Sequence, residues 1–132
     1  MRPRPILLVD DEPNDLLLAR LTIEAAGIRN PTISFPDGEK ALAYLGEACG
    51  NPALLPGMVF IDVKMPQVEG FEILRWMQQE TRLAHVPVAM ISSTVHPAER
   101  AEARRLGARH YLEKDLSAAK FAEVLADAGV AV

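Results

Sequence analysis

Hydrophobic positions along the chain fall into short apolar runs separated by stretches of helical spacing. Ile6-Leu7-Leu8-Val9 and Met58-Val59-Phe60-Ile61 are apolar without alternation, the pattern of strands buried on both faces of a parallel sheet. Thr32 to Phe35, Val86 to Ile91 and Ala108 to Leu112 read as three further strands. Between them lie helical segments. Pro13 fits the first turn of a helix carrying Leu16, Leu17, Leu21 and Ile23 and closed by Gly27. Asp37 caps a helix through Ala41, Leu42 and Leu45. Phe71, Ile73, Leu74 and Met77 mark a third, Pro97 to Leu106 with Gly107 as its stop a fourth, and Ser117 caps a last one ending near Ala128. The run Gly50 to Gly57, with two prolines, is the clearest loop.

Strand and helix therefore alternate five times with short connections. Parallel strands need crossover connections, so this alternation predicts an α/β fold with helices on both faces of a parallel sheet. Residues 1–132 are expected to form a single domain with no output domain, since no repeat or second boundary interrupts the pattern.

Composition narrows the setting. Hydrophobic residues make up 49% and charged residues 24%, ordinary for a globular protein. The net charge of −4 argues against direct nucleic-acid binding, which needs a basic face. The apolar run behind Met1 and Arg2 is too short for a signal peptide or a membrane span, and Cys49 is the only cysteine. A cytoplasmic protein that does not engage membranes is expected, with Cys49 serving packing.

The acids carry the chemical signal. Asp10-Asp11 follow the first strand and Asp62 ends the third. Ligand sites in open α/β sheets gather outside the carboxyl ends of strands. Taken alone, Asp10-Asp11-Glu12 reads equally well as favourable charge at a helix start. Asp62 is harder to explain that way, because a bare carboxylate ending an apolar strand is costly without a partner. If the first and third strands are neighbours, three carboxylates converge and call for a cation. Oxygen ligands without His or Cys favour Mg²⁺, with Mn²⁺ or Ca²⁺ as substitutes. Ser92 and Lys114 stand at two further strand ends. Together the set supplies a nucleophile, a metal site, a hydroxyl donor and a compensating cation, the parts of a phosphoryl-transfer site.

These residues resemble a bacterial response-regulator receiver domain. The resemblance rests on Asp10-Asp11, Asp62-Val63-Lys64-Met65-Pro66 with Gly70, Pro87-Val88-Ala89-Met90-Ile91-Ser92-Ser93, and Gly107-Ala108-Arg109-His110-Tyr111-Leu112-Glu113-Lys114, and covers nearly the whole chain. It implies a flavodoxin-like doubly wound five-stranded sheet of order 2-1-3-4-5. It further implies Asp62 as phosphoacceptor, and a metal bound by Asp11, Asp62 and the Lys64 carbonyl, with Asp10 acting through water. Lys114 would contact the phosphoryl group, and Ser92 would bond it and draw its loop inward, letting Tyr111 turn inward as the switch aromatic. Such a chain is not an enzyme beyond its own phosphorylation and slow autodephosphorylation. Its phosphoryl donor would be a sensor histidine kinase or a histidine phosphotransfer protein, and its output a downstream protein target or an onward phosphorelay.

A finer resemblance, through Asp11-Glu12-Pro13-Asn14-Asp15, the loop before Met58 and Thr81 to Pro87, is to stand-alone regulators paired with bacterial phytochrome kinases. Members of that group dimerise through the fourth helix, fifth strand and fifth helix. Three positions depart from the family pattern. Asp115 replaces the usual proline after Lys114; a non-proline cis bond costs about 2.5–4 kcal/mol, so a trans bond is expected. Ser92 replaces the commoner threonine, and Ser93 stands where alanine is usual. Lys64 and Thr94 occupy the positions that tune dephosphorylation in the family.

Two other functions compete. A pseudo-receiver, purely an interaction module, usually lacks the acidic pair or the acceptor, and both are kept here. A haloacid-dehalogenase-type phosphatase wants a second acid two positions after its nucleophile, where this chain has Lys64. Neither G-x-G-x-x-G nor G-x-x-x-x-G-K-[ST] occurs. His85, His96 and His110 do not cluster, and Trp76 reads as packing. Arg100, Arg104, Arg105 and Arg109 are either a partner surface or a solvated face paired with Glu99 and Glu102.

Overall fold

The computed structural model describes residues 3–65 and 67–130, so Met1, Arg2 and Pro66 of the sequence reading lie outside it. Five parallel strands, β1 (Ile6–Val9), β2 (Thr32–Phe35), β3 (Met58–Asp62), β4 (Val88–Ser92) and β5 (His110–Glu113), stand in the order β2-β1-β3-β4-β5. Helices α1 (Pro13–Ala25), α2 (Gly38–Gly50), α3 (Gly70–Gln79) and α4 (Pro97–Arg105) make the crossovers, and α5 (Ala118–Asp127) follows β5. This is the expected flavodoxin-like arrangement.

The unbroken apolar runs have a direct structural cause. Successive side chains of a strand point to opposite faces, and both faces are covered. Leu7, Val9, Val59 and Ile61 enter one core layer with Ile73, Leu74 and Met77 of α3. Ile6, Leu8, Met58 and Phe60 enter the other, with Ile23 of α1 and Phe121 of α5. Phe60 meets Phe121 edge-on at 5.2 Å, an arrangement that suits the aromatic quadrupoles.

Local signals behave as the sequence suggests at the helix ends. Asp37 accepts a hydrogen bond from the Lys40 amide, Ser117 accepts one from Lys120, and Gly27 and Gly107 adopt the left-handed conformation past α1 and α4. β4 and β5 each start two residues later and end one residue later than expected. β4 begins at Val88, not Val86, because the two preceding residues serve another role: the Val86 amide bonds back to Leu83 and Pro87 offers no N–H. β5 runs from His110 to Glu113, since the Ala108 amide still bonds to Ala103 at the end of α4. The loop before β3 is not wholly irregular. Pro52–Leu54 forms a 3-10 turn, pinned where the Tyr44 hydroxyl donates to the Leu54 carbonyl at 2.7 Å.

The order places β1 and β3 side by side, with Val9 opposite Ile61. One residue further on, Asp10 and Asp62 leave the same edge of the sheet.

Candidate phosphoacceptor and metal site

Three carboxylates meet at that edge. Asp10, Asp11 and Asp62 each present an oxygen, and these oxygens lie within 4.8 Å of one another. Among the described residues no other group of His, Cys, Asp or Glu does this. Asp62 is 7% exposed and Asp10 9%, whereas Asp11 is open to solvent. The grouping is a site where a hard divalent cation would fit, since all donors are carboxylate oxygens and one face is open.

Burial of the Asp62 carboxyl and the nearby charge of Asp10 push its pKa up to about 6, against the lowering influence of Lys114 and the Lys64 amide. The Lys64 amide donates to Asp62 Oδ1 at 3.2 Å. Gly70 supports the same residue from behind: a side chain there would collide with the Asp62 carbonyl oxygen, and the Gly70 amide bonds to Val63 at 3.2 Å. Glycine is required here by the close approach of backbone to backbone.

Lys114 reaches into the cluster. Its Nζ lies 2.9 Å from Asp10, 2.9 Å from Asp15 and 3.3 Å from Asp62. Burial works to lower its pKa, but the bonds to Asp15 and Asp10 and the charge of Asp62 outweigh that and raise it. The expectation of a trans bond after Lys114 is wrong: Lys114–Asp115 is cis. That expectation weighed only the intrinsic preference of a non-proline bond, whereas the lysine's placement is a matter of tertiary contacts with three carboxylates. Asp15 was not anticipated as a partner. Its signal was faint, an acid in the first turn of α1 that reads as ordinary helix-start charge.

Ser92 and Tyr111 form a second, adjoining group. Ser92 is buried, and its hydroxyl donates to the Thr94 carbonyl at 2.6 Å. Tyr111 is already turned inward, 8% exposed, with Arg100 stacked on its ring at 5.4 Å. Its hydroxyl donates to Glu99 at 2.8 Å and accepts from the His96 amide at 3.1 Å. Glu99 is thus drawn to Tyr111, not to the arginines of its own helix.

The remaining candidates are structural. Arg105 pairs with Glu102, and Arg109 pairs with Asp127, both in solvent. His85 and His96 are exposed, while His110 lies 3.0 Å from Asp127 without hydrogen-bond geometry. Trp76 packs against the core. Burial and the neighbouring Glu80 hold the Cys49 thiol above its usual range, the setting of an inert packing residue. No helix among the described residues is long and apolar enough to cross a membrane.

Comparison with known proteins agrees with this geometry. The model of the response regulator receiver domain family matches residues 6–126. The polar-differentiation response regulator DivK of Brucella anthropi is 27% identical over 123 residues, covering 93% of this chain and 94% of DivK. The bacteriophytochrome response regulator AtBRR is 31% identical with a TM-score of 0.85, covering all of this chain and 96% of that one. The Mn²⁺-bound form of response regulator Rcp1 is 26% identical with a TM-score of 0.76, covering 94% and 91%.

Proposed function

The chain belongs to the response regulator receiver domain family, and from that premise we propose that Asp62 accepts a phosphoryl group from a partner's phosphohistidine. The observation that carries the reading is the convergence of Asp10, Asp11 and Asp62 with the Lys114 ammonium bound among them. A deprotonated Asp62 oxygen attacks phosphorus, the new oxygen–phosphorus bond forms as the phosphorus–nitrogen bond breaks, and the electron pair leaves with the imidazole. Lys114 offsets charge on the phosphoryl oxygens and helps keep Asp62 ionised.

Asp11, Asp62 and the Lys64 carbonyl would hold the divalent cation, with Asp10 acting through water. When bound, Mg²⁺ supplies positive charge against both the carboxylates and the phosphoryl oxygens. Rcp1, in its Mn²⁺-bound form, supports a divalent cation at such a site. The phosphorylated chain, a single receiver domain, acts as a protein-interaction switch or phosphorelay intermediate in the cytoplasm. Ser92 and Tyr111 carry the readout to α4 and β5.

A homodimer through α4, β5 and α5 rests on the family resemblance alone. The likeness to AtBRR supports a bacterial phytochrome kinase as donor. The test is phosphotransfer from a panel of phosphorylated histidine kinases and phosphotransfer proteins that includes one such kinase. Label should pass to the wild-type chain with Mg²⁺ present and never to Asp62→Asn. Transfer from none of them, in wild type as in the variant, supports the pseudo-receiver instead.

A further inference from the structure

Asp15 stands outside the three carboxylates that could share a metal, yet it reaches the lysine of the site. Lys114 Nζ donates to Asp15 Oδ2 at 2.9 Å and to Asp62 Oδ2 at 3.3 Å, and it lies 2.9 Å from Asp10 Oδ2. Asp15 is in the first turn of α1, where an acid already suits the helix end. Lys114 follows β5, 99 residues further on. The bond is therefore one of tertiary structure, and helix-start charge does not account for it.

Two observations give the bond a role. The first is the donor count. A lysine ammonium has three N–H donors and no acceptor, and here three carboxylates surround it. Asp62 is the carboxylate that the phosphoryl group would modify, and Asp10 is one that the cation's charge would engage. Bonds to those two are the ones given up in the reaction, and the bond to Asp15 is the one that can persist. Keeping it still leaves two donors for the phosphoryl oxygens. The second observation is packing. Lys114 borders a cavity of about 40 Å³ whose wall is mostly apolar, with Leu18, Ala19, Ile91, Leu116 and Phe121. Its stem has room on that side, so a flexible four-carbon chain is held at its head and not along its length.

We infer that Asp15 is a positioning residue that keeps the Lys114 ammonium beside Asp62 while the lysine's bonds to Asp10 and Asp62 are exchanged for bonds to the phosphoryl group. The inference rests on the phosphoacceptor reading above and adds a residue of α1 to it. It also fixes a sign. An acid near the acceptor repels an anionic phosphoryl donor, so removing a bystander acid there would speed the reaction. Removing an anchor for Lys114 slows it.

Phosphorylation of the chain by acetyl phosphate at saturating Mg²⁺, timed by intact mass, tests it. Asp15→Ala should react about tenfold more slowly than wild type, since a small misplacement of a charge-compensating group is costly. Asp15→Asn, which keeps a neutral acceptor, should fall between them. In a Lys114→Ala background the effect of Asp15→Ala should shrink to less than about twofold, which a general loss of structure would not produce. A second readout is the Lys114 Cε methylene resonance of the unphosphorylated chain, which should shift and sharpen in Asp15→Ala as the head is released. Unchanged or faster phosphorylation of Asp15→Ala overturns the inference, as does an equal loss without Lys114 or a Lys114 resonance that stays in place. Should Asp15→Ala fail to fold, Asp15→Asn decides by the same signs. Wild type, with Asp62→Asn as blank, monitors the underlying reading. No phosphate adduct on wild type sinks that reading and the inference with it, whereas phosphorylated wild type with Asp15 irrelevant sinks the inference alone.

Discussion

The two halves of the site differ in how well their polar groups are satisfied. At the ends of β1 and β3, four carboxylates (Asp10, Asp11, Asp15 and Asp62) face one ammonium, Lys114. At the ends of β4 and β5, the hydroxyls of Ser92 and Tyr111 each have an acceptor, and Glu99 has a donor. The first half carries uncompensated charge and is prepared to take up a cation. The second is closed on itself and must be opened. A charge event at the first can be registered by the second only if bonds already made there are exchanged, which is the requirement for a two-state element.

The sharpest way to break this contrast is at the lysine. Replacing Lys114 by Ala removes the only cation in the described charge cluster, and should slow phosphorylation by about 10²–10³-fold, measured with acetyl phosphate and Mg²⁺. The same change should leave the Tyr111 resonances of the unphosphorylated protein in place. Next comes Gly70→Ala, which drives a methyl group into the Asp62 carbonyl. It should destabilise the fold by about 1–3 kcal/mol in urea and shift Asp62 resonances before those of Ser92.

The pH dependence of the metal-free protein follows from Asp62. Its folded pKa of about 6 lies above the unfolded value, so the folded state holds the proton more firmly. Its contribution to stability is full below the unfolded pKa, near 4, and is lost as pH rises through about 6. Asp62→Asn should therefore be more stable than wild type by about 1–2 kcal/mol at pH 7, with the gain gone by about pH 4. Saturating Mg²⁺ should erase most of the difference, because it stabilises the ionised wild type. On the other side of the comparison, Tyr111→Phe removes one hydrogen-bonded hydroxyl and should cost about 0.5–1.5 kcal/mol, with no such pH dependence. The exposed Glu102–Arg105 pair is a control, and Arg105→Ala should leave thermal stability unchanged.

How far the sequence could be read follows the same division. The bounds of β1 and β2 and the start of β3 are legible, because apolar runs stop abruptly at acids or turn residues. The first residues of β4 and β5 are not, since Val86 and Ala108 are as apolar as a strand requires but have their amides engaged elsewhere. The ionic half is legible because carboxylates ending apolar strands are conspicuous. Asp15 and Glu99 are not, since each stands in the first turn of a helix, where an acid needs no further reason. Only tertiary distances separate them from ordinary helix-start charge. The cis bond after Lys114 is not legible for a related reason, since local preference carries no information about three carboxylates distant in sequence.

The central claim is that the phosphoryl group is carried by Asp62 and by no other acid of the cluster. Site-resolved mass mapping of the chain after treatment with acetyl phosphate and Mg²⁺ tests it most directly. The account predicts one label, on Asp62, absent without Mg²⁺ and absent in Asp62→Asn. A label on Asp10, Asp11 or Asp15 in the wild-type protein, or one that persists in Asp62→Asn, would contradict it.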